Sequence, residues 1–462
     1  MKSAENTILA KSMENKIVIL GLGKSGVSVA RFLRAQGQAF IAMDTRTQPP
    51  EAKEIAKFIP RDWVSLGECN QAMLNSASTI VLSPGLALTS PYIAEAIEKG
   101  VEVIGDIELF VRNADAPIVA ITGSNGKTTV TSLLAQMAKD CDVNVKVGGN
   151  IGVPALDLLD HSHAEKPVFY ILELSSFQLE TVQKLNAEIV TVLNISPDHM
   201  DRYAGVDEYA AAKYRIYTGE GIAVINKQEL AHWGDSYLPV DEQSRRLVSF
   251  GLGKPNPKEF GIKGCDAAEY ICYGDKNLFT TEDVKLLGTH NLQNILAALT
   301  LGKAMALPID SMVKTIIAYP GLPHRTEWVA SHAGVTWIND SKGTNVGATI
   351  AALEGLPGDK ILIAGGVGKD ADFSLLRKAV TQGVSKVVLY GQDATKIENA
   401  LSGCAEIQLV EGLKAAIQAA KRSALPGNLV LFSPACASFD QFQSYEARGN
   451  MFKQLVAELM VC

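Results

Sequence analysis

Residues 117–131 constrain the fold most, because an apolar strand, a glycine turn and the start of a helix follow one another directly. The turn reads Gly-Ser-Asn-Gly-Lys-Thr-Thr over residues 123–129. Backbone N–H groups in such a turn and the positive end of the helix dipole face an anion, while the lysine reaches terminal phosphates and the next threonine can hold Mg²⁺. This pattern predicts an α/β domain that binds ATP.

The loop is shorter than the common phosphate-loop pattern, since Ile121 stands where that pattern has a glycine five residues before Gly126. A strand-turn-helix corner without a ligand is the alternative, and the motif alone indicates nucleotide binding only. The ATP-binding residues predicted from the loop are Gly123, Ser124, Asn125, Gly126, Lys127, Thr128 and Thr129.

Composition indicates an ordinary globular chain: it has 462 residues, 47% hydrophobic and 20% charged, enough for three domains at roughly 100 to 200 residues each. A net charge of −7 argues against a surface that binds nucleic acid or anionic membrane. Seven cysteines without a C-x-x-C pair, a polar start over residues 1–15 and no membrane-length apolar run predict a cytoplasmic protein with no membrane insertion.

Short β-branched runs alternate with helical stretches along the chain, as in a parallel α/β architecture. The first unit has a strand at residues 16–20, a G-x-G-x-x-G turn at residues 21–26, a helix to about Ala35 and a strand that ends at Asp44. This turn suits a dinucleotide or another phosphate-bearing nucleotide, because the glycine pattern specifies a backbone shape and does not identify the ligand.

The middle of the chain carries polar residues at predicted strand ends. Glu173 follows an apolar strand, where nucleotide-bound Mg²⁺ finds an oxygen ligand. His199, in an Asp-His-x-Asp sequence, is predicted to be a metal ligand, with a hydrogen-bonded core imidazole as the alternative. Lys213 lies in a helical stretch, where a solvated lysine is the usual interpretation.

Motifs in order along nearly the whole chain resemble the Mur ligase family; they occupy residues 123–129, 149–152, 172–180, 198–203, 321–325, 338–345 and 433–442. The resemblance implies three α/β domains. Residues 1–105 would form a Rossmann-like domain for a UDP substrate, residues 106–321 a central phosphate-loop domain for ATP, and residues 322–462 a Rossmann-like domain for an amino acid.

The resemblance also implies binding residues in each domain. For the UDP substrate these are Ser25, Asp44, Thr45, Arg46 and Ser83, with Asn150 at the muramoyl part. Further ATP contacts are Asn291, Asn294, Arg325, Asp340 and Lys342, although both asparagines could instead cap a helix. The residues around D-glutamate are Thr344, Lys369, Ser438, Phe439 and Tyr445.

The implied reaction uses ATP to phosphorylate the carboxylate of UDP-N-acetylmuramoyl-L-alanine, and the amine of D-glutamate then attacks the acyl phosphate. The implied catalytic residues are Lys127, Glu173, His199 and Lys213, with Lys213 carbamylated. Two Mg²⁺ ions would be held by Thr128, Glu173, His199 and Lys213. The protein is expected to act as a monomer.

One position departs from the family pattern: Val367 stands where many relatives have an aspartate, and Asp370 follows Lys369 instead. Neutralisation of Lys369 by Asp370 would reduce the attraction of Lys369 for a carboxylate of glutamate. Other Mur-type ligases and folylpolyglutamate-type ligases are alternatives, and a nucleotide-switch scaffold that joins no bond is an alternative from another class.

Overall fold

The computed structural model describes residues 17–159, 166–234, 245–265 and 268–461. Within these ranges there are three β-sheets, of five, nine and six strands. The polar start predicted for residues 1–15 lies outside the described residues. Among the helices described, none has the length and apolar character needed to cross a membrane.

The first sheet is parallel, with strand order β3-β2-β1-β4-β5. Its strands are β1 (Ile17–Leu20), β2 (Phe40–Asp44), β3 (Val64–Leu66), β4 (Thr79–Leu82) and β5 (Glu102–Gly105). Its helices are α1 (Lys24–Ala35), α2 (Ala52–Ile55), α3 (Gln71–Asn75), α4 (Pro91–Glu98) and α5 (Asp106–Val111), with a short 3₁₀ helix at Arg61–Trp63. Because the strands are parallel, Asp44 and the Ser83 loop reach the same edge.

The central sheet has strand order β14-β13-β12-β11-β10-β9-β6-β8-β7. Its strands are β6 (Ile118–Thr122), β7 (Val145–Gly149), β8 (Phe169–Glu173), β9 (Ile189–Val192), β10 (Gly221–Asn226), β11 (Arg245–Phe250), β12 (Phe260–Cys265), β13 (Ala268–Tyr273) and β14 (Lys276–Thr280). Its helices are α6 (Lys127–Asp140), α7 (Ser176–Glu180), α8 (Val206–Tyr214), α9 (Lys227–Trp233), α10 (Thr289–Ala304) and α11 (Ile309–Ala318), with 3₁₀ helices at Ala155–Leu158 and Arg215–Tyr217.

The end of the central sheet departs from the parallel pattern, because β13 is antiparallel to both β12 and β14. Only Gly274 and Asp275 separate β13 from β14, and Gly274 has φ +55°. A two-residue turn joins antiparallel strands only, since a parallel pair needs a crossover of about a dozen residues or more.

The third sheet has strand order β15-β16-β20-β17-β18-β19, parallel except for the antiparallel pair β15 and β16. Its strands are β15 (Glu327–His332), β16 (Val335–Asn339), β17 (Lys360–Ala364), β18 (Val384–Leu389), β19 (Glu406–Leu409) and β20 (Leu429–Phe432). Its helices are α12 (Val346–Gly355), α13 (Arg377–Gly383), α14 (Ala394–Leu401), α15 (Leu413–Ser423) and α16 (Tyr445–Val461), with a 3₁₀ helix at Phe373–Leu376.

Strand register brings the polar ends of the central strands together. Glu173 pairs with Ile121, and Val192 pairs with Thr122, so β6, β8 and β9 end at one edge. These strands are buried on both faces between apolar helices, which explains their continuous apolar sequences. The residue-123 loop therefore opens beside Glu173 and the segment after β9.

Candidate active site

Two glycines shape the loop between β6 and α6. Gly123 has φ +151°, and Gly126, the N-cap of α6, has φ +82°. A Cβ on Gly126 would lie 2.3 Å from Oδ1 of Asn294, so a larger residue does not fit there. The Lys127 ammonium donates hydrogen bonds to the carbonyls of Gly123 at 2.6 Å and Ser124 at 2.9 Å. The predicted phosphate cradle is thus formed by the backbone and closed by one lysine.

Glu173 presents an oxygen that lacks a partner. Its Oε1 accepts a hydrogen bond from Asn150 Nδ2 at 2.9 Å. Its Oε2 is buried and has no hydrogen-bond partner among the described residues. A buried carboxylate oxygen needs a donor or a cation, and Mg²⁺ prefers oxygen ligands. Glu173 and the nearby Thr128 hydroxyl therefore suit a nucleotide-bound Mg²⁺.

Within the described ranges, no group of three or more His, Cys, Asp and Glu side chains could hold a metal by itself. This is compatible with Mg²⁺ at a phosphate site, because that ion takes one or two protein ligands together with phosphate oxygens and water.

His199 lies at the rim of the same edge, with its backbone in the left-handed region at φ +58°. Its Nε2 is 3.7 Å from Asp198 Oδ2, and its ring meets Phe177 edge-on with centroids 4.8 Å apart. Burial lowers the pKa of His199, although Asp198 opposes this effect. The neutral imidazole that results is the form that can bind a metal.

Lys213 is buried, with 1% of its surface exposed, so the interpretation as a solvated helix lysine is wrong. Its ammonium lies 3.5 Å from the Thr122 hydroxyl and 4.6 Å from the centroid of the Tyr209 ring. Burial, followed by repulsion from Lys127, lowers its pKa well below the usual value. The lowered pKa favours the neutral amine, which is the nucleophilic form of a lysine.

The third domain contributes cations to this site. The Arg325 guanidinium donates to the Thr128 hydroxyl at 2.6 Å. The Lys342 ammonium lies 4.0 Å from the Tyr445 ring centroid, and burial followed by repulsion from Arg325 lowers its pKa to about 8. Asp340 accepts a hydrogen bond from Ser433 at 2.7 Å, and burial raises its pKa to about 6.

The acidic partner of Lys369 is Asp198, which lies on the central domain. Lys369 Nζ is 4.0 Å from Asp198 Oδ1, while no ion pair joins it to Asp370 among the described residues. Among the described residues, the carboxylate that pairs with Lys369 is thus Asp198 rather than Asp370, and both Lys369 and Asp370 have positive φ, 51° and 56°.

A cavity of about 340 Å³, here called the first cavity, brings together residues of the central and third domains. Predicted site residues that line it are Ser124, Asn125, Gly126, Lys127, Thr128, Asn150, Glu173, His199, Lys213, Arg325, Lys342, Thr344, Lys369, Ser438, Phe439 and Tyr445. Most of the predicted catalytic, ATP and D-glutamate sets thus meet in one space.

A neighbouring space of about 240 Å³, the second cavity, has Gly126, Thr129, Asn291, Asn294, Arg325, Asp340 and Lys342 in its lining. Neither asparagine is the cap of α10, because Gly288 occupies that position. Instead, Asn291 donates to the Leu287 carbonyl at 2.7 Å, and Asn294 donates to Asn291 Oδ1 at 3.0 Å. The helix-cap alternative is therefore wrong.

The predicted UDP residues of the first domain lie apart from both cavities, at the carboxyl edge of the first sheet. Asp44 accepts the Leu22 N–H at 2.7 Å and forms an ion pair with Arg46 at 2.7 Å. Ser25 hydrogen-bonds to Asp106, while Thr45 is exposed and the Ser83 N–H bonds to the Leu20 carbonyl. Of the predicted UDP set, Asn150 alone is in the lining of the first cavity.

Several lining residues were missed by sequence reasoning: Phe177, Asp198, Tyr209 and Asn345 in the first cavity, and Glu229 and His290 in the second. Asp198 had a signal, since it begins the Asp-His-x-Asp sequence, and Asn345 Nδ2 donates to it at 3.0 Å from the third domain. The others are ordinary aromatic or helix residues whose positions depend on the tertiary structure.

Family models match three successive parts of the chain. They are described as Mur ligase MurD-like, N-terminal domain over residues 15–105, Mur ligase middle domain over 121–302, and Mur ligase, glutamate ligase domain over 324–436. Solved structures with the same fold include MurF from Acinetobacter baumannii, at TM-score 0.59 and 17% identity, covering 99% of this chain and 98% of that one. These matches confirm the predicted fold class of three α/β domains.

Curated relatives span nearly the whole chain. A protein of Nitrosococcus oceani named UDP-N-acetylmuramoylalanine--D-glutamate ligase is 47% identical over 449 residues, covering 96% of this chain and 97% of its own length. A protein of the same name from Pseudomonas aeruginosa is 45% identical over 446 residues, covering 96% and 98%.

Proposed function

The chain belongs to the Mur ligase family, and we propose that it is an ATP-dependent ligase that joins D-glutamate to UDP-N-acetylmuramoyl-L-alanine in peptidoglycan precursor synthesis. The observation that carries this proposal is the first cavity, where Lys127 of the central domain faces Arg325, Lys342 and Lys369 of the third domain. A carboxylate and a triphosphate repel each other, so their reaction needs such a concentration of cations.

In the first step, a carboxylate oxygen of the UDP substrate attacks the γ-phosphorus of ATP, the bond to the bridging oxygen breaks and ADP leaves. The D-glutamate amine then attacks the acyl carbon, the carbon–oxygen bond to phosphate breaks, and the amine loses a proton as the amide forms. Lys127, Arg325 and Lys342 balance the negative charge that develops on the phosphoryl oxygens.

Mg²⁺ would be held by the Thr128 hydroxyl and Oε2 of Glu173, and a second ion by His199 and Lys213. When bound, the ions would withdraw electron density from the phosphate oxygens. Lys213 would be carbamylated: its neutral amine adds to CO₂, an N–C bond forms and a proton leaves. Its burial and lowered pKa support this, since only the neutral amine reacts.

Each substrate has its own part of the molecule in this proposal. The second cavity, with Asn291 and Asn294, takes the nucleoside of ATP, and the carboxyl edge of the first sheet takes the UDP group. D-Glutamate lies by the residue set Thr344, Lys369, Ser438, Phe439 and Tyr445. The domains meet at residues 105/106 and 321/322, and the protein acts as a cytoplasmic monomer.

Phosphate release tests the proposal. We expect release that requires ATP, UDP-N-acetylmuramoyl-L-alanine and D-glutamate together, and that is lost in K127M. The control K139M changes an exposed lysine at the far end of the same helix and should keep full activity. Release without the UDP substrate would favour a nucleotide switch, and preference for another amino acid or for a folate would favour a related ligase.

A further inference from the structure

Arg202 joins the first domain to the central domain at the loop that follows β4. Its side chain is 15% exposed. Its guanidinium donates to the Pro84 carbonyl at 2.9 Å and to the Leu86 carbonyl at 3.1 Å. This loop begins at Ser83, so Arg202 holds the backbone beside a predicted contact of the UDP substrate.

The same guanidinium is fixed on the central domain. It donates to Glu180 at 3.0 Å and lies 4.1 Å from the centroid of the Phe177 ring. The Tyr203 hydroxyl also donates to Glu180, so that carboxylate is held from two sides. Planar guanidinium suits this combination, because its edge donates several hydrogen bonds while its face stacks on an aromatic ring.

Phe177 connects Arg202 to the first cavity, because Phe177 and His199 both line that cavity. Phe177 meets the His199 ring edge-on, with centroids 4.8 Å apart, and stacks on Tyr203 at 5.9 Å. The backbone N–H of Arg202 also donates to the His199 carbonyl at 2.9 Å. Side chain and backbone of Arg202 therefore both support the wall that carries His199.

We propose that Arg202 is a positioning residue that couples the seating of the first-domain loop at residues 83–86 to the Phe177 and His199 wall of the first cavity. The inference rests on the proposed ligase function. Without the guanidinium, the Pro84 and Leu86 carbonyls lose their charged donor, and Phe177 loses the cation on its face. A UDP substrate held by the first domain would then approach the cavity in a less defined position.

Kinetics of R202M and R202K, beside the control R31M, test this coupling. Arg31 forms an ion pair with Asp157 at 2.6 Å between the same two domains, but neither residue is in the lining of the first cavity. We expect R202M to raise the KM for the UDP substrate and lower kcat, each by about tenfold, as for loss of hydrogen bonds from a charged group. R202K should lie between wild type and R202M, and R31M should match wild type.

The readout that separates positioning from simple destabilisation is the Kd for ADP, measured by titration calorimetry on the free enzyme. It should stay within about twofold of wild type in R202M, since none of the residues that Arg202 contacts is in the lining of the second cavity. In the F177L background, R202M should change the KM for the UDP substrate and kcat by clearly smaller factors than in wild type, because the contact between the guanidinium and the aromatic ring is already lost. If R202M does not fold, R202K and F177L still give this comparison.

An unchanged KM for the UDP substrate in R202M, or equal losses of ADP and UDP-substrate binding, would overturn the coupling while leaving the ligase function in place. Additive effects of R202M and F177L would overturn the route through Phe177. A wild-type enzyme that neither binds the UDP substrate nor releases phosphate with it would overturn the proposed function, and the inference with it.

Discussion

Burial controls the charge state of the amines around the first cavity. Lys213 is 1% exposed, and burial lowers the pKa of Lys127 as well as that of Lys213. Burial, together with repulsion from Arg325 and Lys127, lowers the pKa of Lys342 to about 8. Lys127, Arg325 and Lys342 repel one another until an anion enters, so the site is suited to bind phosphate and carboxylate groups.

Lys213 gives a prediction at the residue scale. K213A and K213R should both lose about 100-fold in kcat, because neither side chain can become a carbamate that stabilises the reacting charge. Short carboxylic acids should restore part of the activity of K213A by supplying the missing carboxylate. Labelling with ¹³C-bicarbonate should give a carbamate signal in the wild type that K213R lacks. Full activity of K213A without added acid would contradict carbamylation.

Lys342 predicts how nucleotide binding depends on pH. Its lowered pKa of about 8 means that it is protonated below that pH and neutral above it, so phosphate attraction is lost as pH rises. Between pH 7 and 9 the Kd for ADP should rise about tenfold, as expected for one proton taken up on binding. Calorimetric titrations over this range measure it.

K342R is the matched variant, because its guanidinium stays charged throughout this range. Its Kd for ADP should vary little between pH 7 and 9. The other charged or titratable groups that face Lys342 are Arg325, Lys127, Glu173, Glu446 and Tyr445. A pH dependence that survives in K342R would assign the titration to one of these groups.

At the scale of single elements, turn and strand signals were sufficient to predict much of the fold. The strand predicted at residues 16–20 corresponds to β1, which is described from Ile17 to Leu20, and the strand predicted to end at Asp44 is β2. A strand of this kind is indicated by a short β-branched run between turn residues, so it can be recognised from neighbouring residues in the sequence. The antiparallel end of the central sheet was missed, because strand direction there depends on the two-residue turn at Gly274 and on pairing partners.

Gly26 and Gly23 give a prediction at this scale. A Cβ on Gly26 would lie 2.0 Å from the Gly21 carbonyl oxygen, whereas a Cβ on Gly23 would meet nothing within 4 Å. G26A should therefore destabilise the first domain by about 3 kcal/mol through overpacking of backbone against side chain. G23A should change stability by less than about 0.5 kcal/mol. Thermal melts monitored by circular dichroism compare the stability of the two variants. Equal melting temperatures for G26A and G23A would show that α1 can shift away from β1.

At the scale of the whole molecule, contacts between the central and third domains complete the site. Arg325 donates to Thr128 at 2.6 Å, and both Asn345 and Lys369 reach Asp198, at 3.0 Å and 4.0 Å. We expect closure of these two domains to exclude water, because water would hydrolyse an acyl phosphate. Asp198 thus holds two third-domain side chains at the cavity.

Lys369 is the test at this scale. K369A should raise the KM for D-glutamate about tenfold, because a charged hydrogen-bond donor to a carboxylate is lost, and should leave the KM for ATP unchanged. The control K396A removes a lysine that is 66% exposed and paired with Asp393 at 2.8 Å, so its KM values should match wild type. Steady-state phosphate release measures the KM values for D-glutamate and ATP in both variants. An unchanged KM for D-glutamate in K369A would remove Lys369 from the amino-acid site.

Sequence by itself determined the phosphate loop, the alternation of strands and helices and the ordered motifs, because these depend on neighbouring residues and on backbone conformations that few residue types adopt. Only the tertiary structure decided that Lys213 is buried, that one Glu173 oxygen has no hydrogen-bond partner in the described part of the chain, and that Asp198 faces Lys369. Burial and charge pairing arise from residues far apart in the chain. For that reason, the same lysine could be interpreted as a solvated helix residue until the fold placed it beside Lys127.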